Sequence, residues 1–287
     1  LPDVAPSVRT VHAANLDHRV VEWDGGGRTT VLFVHGYLDC GGSFDALARA
    51  LPGDLHCVAP DMRGHGGTER VPASGYYHFV DYVRALRDLV DALVRDRLVL
   101  VGHSMGGGIC TLFAGTWPAE VHRLVLLEGL GPPAEDLDEG PARMARWIDE
   151  VRAVRAGFRP IKRFASKAEA AKRLTAKDPL LSEERALELV EWLLRERADG
   201  AFEWLHDPMH RTRTPMVYRP EVWAPFLRAI ACPVLTVAAE KSWYRWSDLP
   251  DRRALIADHR HLHVDESGHM VHHDAPERLA EAITELL

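Results

Sequence analysis

The sequence predicts an α/β fold: a mostly parallel sheet covered by helices on both faces, with a helical segment inserted between two of its strands. Three observations predict it. Strand and helix signals alternate through the first 130 or so residues, as parallel sheets require. Several strand candidates are apolar throughout and rich in β-branched residues, which marks strands buried on both faces. The alternation then stops near residue 131 and resumes near residue 228.

Taken in order, Val8 to Trp23 reads as one or two strands ending at the turn Asp24-Gly25-Gly26-Gly27. Thr29 to Val34 is a doubly buried strand. Ser43 to Leu51 reads as a helix that Ser43 could cap, with Phe44, Leu47 and Leu51 on one face. Leu55 to Ala59 is the next strand. Phe79 to Asp96 is a long amphipathic helix with Val83, Leu86, Val90 and Leu93 aligned. Leu98 to Val101 is a strand, followed by a glycine-rich turn and a helix to about Thr116, stopped before Pro118. Val121 to Leu127 is another buried strand. From about Gly131 to Leu227 no strand is expected. The helices there are Pro141 to Phe158, Ser166 to Lys177 and Ser182 to Asp199, the last opening on an acidic first turn. The sheet resumes at Cys232 to Ala239 and closes with a strand at His261 to Val264 and a helix at Ala275 to Leu287. The expected organisation is a core of residues 1–130 and 228–287, with residues 131–227 forming a helical cap over the C-terminal edge of the sheet. Open α/β sheets bind ligands at that edge.

The chain has 287 residues, 46% hydrophobic and 27% charged, the composition of a globular domain large enough for a sizeable core. Its net charge of −7 supplies no basic field to neutralise phosphates, so no nucleic-acid partner is expected, although the middle of the chain is rich in arginine. Cys40, Cys57, Cys110 and Cys232 are scattered among apolar or glycine-rich stretches, the pattern of reduced core cysteines. No apolar run reaches the ~20 residues of a membrane span. Leu1-Pro2-Asp3-Val4 carries no leader pattern, so no membrane insertion is expected and the cytoplasm is the expected location.

Gly102-His103-Ser104-Met105-Gly106 is a strand–turn–helix with serine at its apex, the G-x-S-x-G pattern. The turn strains the serine backbone and exposes its hydroxyl at a strand end. The following helix aims its N–H groups and positive dipole end at the same point. A serine nucleophile needs a base, an acid to orient the base, and donors for an oxyanion. His269, in the loop Glu266-Ser267-Gly268-His269-Met270 before the last helix, is the candidate base, and His272 its competitor. The tail histidines His259, His261, His263, His272 and His273 lack the acidic partners of a metal site, and no metal is expected. Glu128, at the end of the strand after the elbow helix, is the candidate acid, with Glu240, Asp248 and Asp265 as alternatives. The backbone N–H groups of Tyr37 and Met105 are the candidate oxyanion donors, with Leu38 second to Tyr37. Leu38, His103, Trp204, Trp243 and Tyr244 are the candidate pocket residues. The aromatic density of Trp243, Tyr244 and Trp246 near the crevice points to an apolar acyl or aromatic small molecule as substrate. Asp61-Met62-Arg63-Gly64-His65-Gly66 reads as a structural loop with Asp61 and Arg63 paired.

His35-Gly36, Asp61-x-Arg63-Gly64-x-Gly66, Gly102-x-Ser104-x-Gly106 and Gly268-His269, in that order, resemble the α/β-hydrolase superfamily over nearly the whole chain. His35-Gly36-Tyr37-Leu38-Asp39 with Ser43-Phe44, the Tyr77-His78-Phe79 region and Glu128-Gly129-Leu130-Gly131-Pro132 look like the serine hydrolase-like proteins within it. The resemblance implies an eight-stranded sheet, a helical cap and a triad that uses no cofactor. In the family the acid is commonly an Asp after the strand that holds Pro233-Val234-Leu235, and here Ser242 stands at that station. Haloalkane dehalogenases are similar in placing a Glu after the strand that follows the elbow helix, which favours Glu128. Their nucleophile is Asp, as in epoxide hydrolases, so Ser104 argues against both activities. The expected function is hydrolysis of a small carboxylic ester through an acyl-enzyme. The alternatives are a lactone, thioester, amide or carbon–carbon bond with the same triad, perhydrolase or haloperoxidase chemistry as a side reaction, or a binding or signalling protein on a hydrolase scaffold.

Overall fold

Apolar, β-branched segments pair into one long sheet because each can bury both faces only beneath helices. The computed structural model describes residues 1 and 4–287; Pro2 and Asp3, part of the N-terminal stretch without a leader pattern, lie outside the described residues. The elements run β1 (Ser7–Ala13), β2 (Leu16–Asp24), β3 (Thr29–Val34), α1 (Asp45–Ala50), β4 (His56–Pro60), α2 (Phe79–Leu93), β5 (Arg97–His103), α3 (Met105–Thr116) and β6 (Val121–Leu127). An insert follows, with α4 (Gly140–Arg155), β7 (Arg163–Phe164), α5 (Lys167–Thr175), α6 (Glu183–Leu193), β8 (Leu194–Glu196), β9 (Phe202–Trp204) and α7 (Pro220–Ala229). The chain then completes β10 (Val234–Ala239), α8 (Leu249–Ala254), β11 (His259–Val264), α9 (Val271–Asp274) and α10 (Pro276–Leu286).

The eight strands of the main sheet lie in the order β1-β2-β4-β3-β5-β6-β10-β11. The β1–β2 and β2–β4 pairings are antiparallel, and every other pairing is parallel. This is the sheet that the alternation predicts. Two apolar layers cover its faces. One gathers Leu86, Leu89, Leu100, Ile109, Phe113 and Leu124 around α2 and α3, and the other gathers Trp23, Phe33, Phe44, Val101, Leu279 and Ile283 around α1 and α10. The four cysteines are free and buried. Among the described residues, no helix is long and apolar enough to cross a membrane.

The expectation of no strand in residues 131–227 is corrected: β7, β9 and β8 form a small antiparallel sheet. The stretch Ser182 to Asp199 is helical only to Leu193, then extends into β8. Arg195 and Arg197, two apart, reach the same buried carboxylate, Glu203. That spacing puts both on one side of an extended segment, Arg195 in β8 and Arg197 just past its end, where a helix would splay them. Beneath lies a separate cluster of Phe164, Ala170, Leu181, Ala186, Leu189 and Val190. Ser182 does cap α6, accepting from the Arg185 N–H at 3.1 Å. Ser43 does not cap a helix. It lies inside a 3-10 turn, Gly41–Phe44, and its single hydroxyl proton is shared between Asp39 Oδ2 and the Cys40 carbonyl, each 2.8 Å from Oγ.

Candidate active site

The sheet brings the C-terminal ends of β5 and β6 side by side, and the turns that leave them carry Ser104 and Glu128. Ser104 has φ +51° and ψ −113°, a conformation that β5 and α3 impose on a non-glycine residue. The glycines around it serve close approach. A Cβ at Gly106 would sit 2.0 Å from the Val34 carbonyl oxygen, and one at Gly102 would sit 2.6 Å from that of Gly106. The Ser104 N–H donates to the Leu127 carbonyl at 2.9 Å, which ties the elbow to the end of β6. Ser104 itself is partly exposed, so its hydroxyl is reachable.

His269 comes from the loop between β11 and α9. Its Nε2 lies 3.0 Å from Ser104 Oγ, and its Nδ1 lies 3.3 Å from Glu128 Oε2. The geometry suits an Nδ1–H that donates to the carboxylate and an Nε2 that accepts from the hydroxyl. Glu128 also has a left-handed backbone, with φ +51°, and is 1% exposed. Its carboxylate is not left to the imidazole alone. The Ala239 N–H donates to Oε1 at 2.8 Å, and the Ser242 hydroxyl donates to Oε2. Ser242 is in turn positioned by the Tyr244 N–H, 3.0 Å from its Oγ. A buried carboxylate with three donors is the arrangement in which a buried charge is tolerable.

The alternative acids lie elsewhere. Glu240 accepts from the Glu266 N–H, Asp248 pairs with Arg252, and Asp265 is an exposed neighbour of His263. His272 is fully buried, its Nε2 3.7 Å from Asp39 Oδ2. His103 donates from Nε2 to the His269 carbonyl at 2.8 Å, so it supports the base loop from below. Burial lowers the pKa of His103 well below the usual range, and the neighbouring His272 and His269 push it the same way. Asp39, His103 and His272 form the group of potential metal ligands among the described residues, their ligand atoms within 4.8 Å of one another. His259, His261 and His263 are not part of it.

Met105 is the first residue of α3, so its N–H has no partner within the helix. Tyr37 lies in the loop after β3, its hydroxyl donating to the His210 carbonyl at 2.7 Å, and Leu38 beside it has φ +60°. His35 anchors this loop. Its Nε2 accepts from the Met62 N–H at 2.8 Å while Nδ1 donates to the Gly36 carbonyl at 2.7 Å. Gly36 has no room for a side chain, because a Cβ would lie 2.7 Å from His103 Nδ1. The Trp243 ring stands 4.4 Å from that of His269 and is 65% exposed. Tyr244 is buried, its hydroxyl donating to the Gly131 carbonyl at 2.5 Å. Trp204 packs edge-on against Phe164 in the insert.

One residue escaped the sequence reading, and one expected pair is redrawn. Ser242 registers there only as a missing acid, yet its hydroxyl reaches the acid that replaces it; the departure from the common pattern was itself the signal. The expected Asp61–Arg63 pair is corrected. Asp61 pairs with Arg19, and its oxygens also accept from the Gly41 and Gly67 N–H groups at 2.7 Å. Closeness in the motif does not bring the two side chains together, and the acid's true partner lies 42 residues away on β2.

Residues 29–276 match the model of the alpha/beta hydrolase fold family. The chain belongs to the α/β-hydrolase family. Among the relatives of this α/β hydrolase, a serine hydrolase-like protein of Danio rerio is 29% identical over 264 residues, covering 90% of this chain and 81% of that protein. Serine hydrolase-like protein 2 of Homo sapiens is 33% identical over 156 residues, 54% of this chain and 49% of the human protein. Among solved structures, the thioesterase domain from the curacin biosynthetic pathway superposes with a TM-score of 0.87 at 24% identity, covering 98% of this chain and 99% of that domain. At that identity the likeness is one of fold. Family and relatives together support hydrolase activity for this α/β hydrolase.

Proposed function

We propose that this protein is a serine hydrolase that cleaves a small carboxylic ester in two steps through an acyl-enzyme. The observation that carries the reading is the unbroken relay from Ser104 Oγ through His269 to Glu128, at 3.0 and 3.3 Å. The Ser104 hydroxyl attacks the ester carbonyl while His269 Nε2 takes its proton. The Tyr37 and Met105 amides receive the negative charge that develops on the carbonyl oxygen. His269 passes the proton to the leaving alcohol, then takes one from the water that attacks the acyl-enzyme and returns it to Ser104 Oγ as the acid leaves. Glu128 holds the imidazole in the productive tautomer and offsets its transient charge. The exposed Trp243 beside the base, with Leu38 in the loop after β3, forms the wall against which an apolar acyl or aromatic group packs, whereas His103 and Tyr244 are buried and Trp204 belongs to the insert's own cluster. Residues 131–227 cover that site as a lid. No step calls for a cofactor.

A fluorophosphonate probe tests the nucleophile and a panel of esters of graded acyl length, lactones and thioesters tests the bond. The expected outcome is labelling of native protein at Ser104, no labelling of Ser104→Ala, and a loss of roughly 10³-fold or more in kcat for that variant on the best substrate. Native protein that stays unlabelled beside a labelled control hydrolase would falsify the assignment. Turnover that survives Ser104→Ala would do the same.

A further inference from the structure

The Asp61-to-Gly66 motif leaves one charge without a counterpart among the described residues, and that charge lines a cleft. The cleft has a volume of about 640 Å³ and lies between the β1–β2 turn, residues 71–78, the start of α2, and α4 of the insert. Neither Ser104, His269 nor Glu128 lines it. Its walls are electrostatically one-sided: Arg63, Arg84 and Arg155 face a single carboxylate, Asp81. Arg63 is the decisive member. It is 8% exposed, and neither its Nε nor its Nη1 has a hydrogen-bond partner among the described residues. Its carbonyl is engaged, accepting from His65 Nδ1 and His210 Nε2, both at 3.1 Å. The nearest acid in the sequence, Asp61, is consumed by Arg19 and two backbone amides. A guanidinium keeps its proton, so a buried one without an acid is costly to hold. Its field is felt by its neighbour His18, whose pKa is lowered first by burial and further by Arg63. A second donor points the same way. Trp147 also lines the cleft, and its Nε1 is buried and unpartnered, with Tyr76 edge-on at 5.2 Å.

We propose that this cleft is a binding site for a small organic anion, a carboxylate or a phosphate monoester on an aromatic body. The acidic group pairs with Arg63, with Arg84 and Arg155 at the rim. The aromatic body lies against Trp147 and Tyr76. Because α4 belongs to the insert and α2 to the main sheet's layer, the bound anion ties the two together. The site is independent of the Ser104 chemistry.

The test is calorimetric titration of the whole protein with benzoate, phenyl phosphate and, as an uncharged match, benzamide. Benzoate or phenyl phosphate should bind and benzamide should not; the tighter of the two names the acidic group. Arg63→Met should weaken binding by about tenfold or more. The rim variant Arg84→Ala/Arg155→Ala should weaken it severalfold and covers the case in which Arg63→Met does not fold. Ser104→Ala should bind as the native protein does. The proposal is overturned if neither anion binds, if benzamide binds as well as benzoate, or if binding is unaffected by the rim variant.

Discussion

Three donors converge on one buried carboxylate at Glu128: the Ala239 amide, the Ser242 hydroxyl and the His269 ring. Ser242 bonds to the same oxygen that faces the imidazole, so it fixes where that oxygen sits. Glu128→Gln should therefore keep the fold and lower kcat by roughly 10²–10⁴, since an amide favours the wrong tautomer of the base. Ser242→Ala should lower kcat by about tenfold and leave KM nearly unchanged, because one positioning donor is lost while the acid remains. Steady-state kinetics on the best ester of the panel reads both. Equal loss in the two variants would show that Ser242 does more than position. The sequence carries this site unevenly. Ser104 is legible because the elbow needs both its motif and its strand–helix setting, and His269 because Gly-His stands before the last helix. Glu128 is legible only as one of four acids, because a carboxylate from either of two adjacent strand ends reaches the same ring. Nothing in the sequence shows Arg63 unpaired, since that depends on which way two neighbours on a turn point.

Between β5, α3 and β6, backbone approach governs what the elements can do. A Cβ at Gly107 would lie 2.5 Å from Gly129 Cα, and one at Gly129 would lie 2.7 Å from Gly107 Cα. The helix after the nucleophile is thus pressed against the residue that follows Glu128. Gly107→Ala should destabilise the protein by about 1–3 kcal/mol, as overpacking of a tight interior does, read as a lower urea midpoint. It should also lower kcat at temperatures where the variant is folded, because the strain falls on the turn that aims the acid. A variant with reduced stability and native kcat would break the link between that contact and the acid. The long elements were legible for the same reason they are rigid. Thr29–Val34 and Val121–Leu127 are found at the predicted bounds because an apolar, β-branched run has one way to be buried. The strands of the insert were missed because two or three residues carry no period, and because Arg195 and Arg197 show their alternation only once Glu203 is opposite.

Over the whole molecule, buried imidazoles set the acid limit. Burial, more than any neighbouring charge, lowers His210 and His272 to about 3, and holds His65 and His103 well below the usual range. The unfolded chain binds these protons near pH 6.5 and the folded chain does not. Stability is therefore fully present above about 6.5 and falls as pH drops toward the folded values. His210 and His272 should each cost roughly 1 kcal/mol over the first unit below 6.5 and about 1.4 kcal/mol per unit after that. Urea midpoints from about pH 7.5 down to about pH 5 check this; a flat profile would mean that the rings charge inside the fold. The relay joining the elbow to the tail of the chain has a temporal consequence as well. Serine and carboxylate sit in one short stretch around the elbow, whereas the ring that links them lies 141 residues beyond the acid. On the proposed chemistry, a refolding chain stays inert until its tail has docked, so recovered ester cleavage should trail recovered secondary structure.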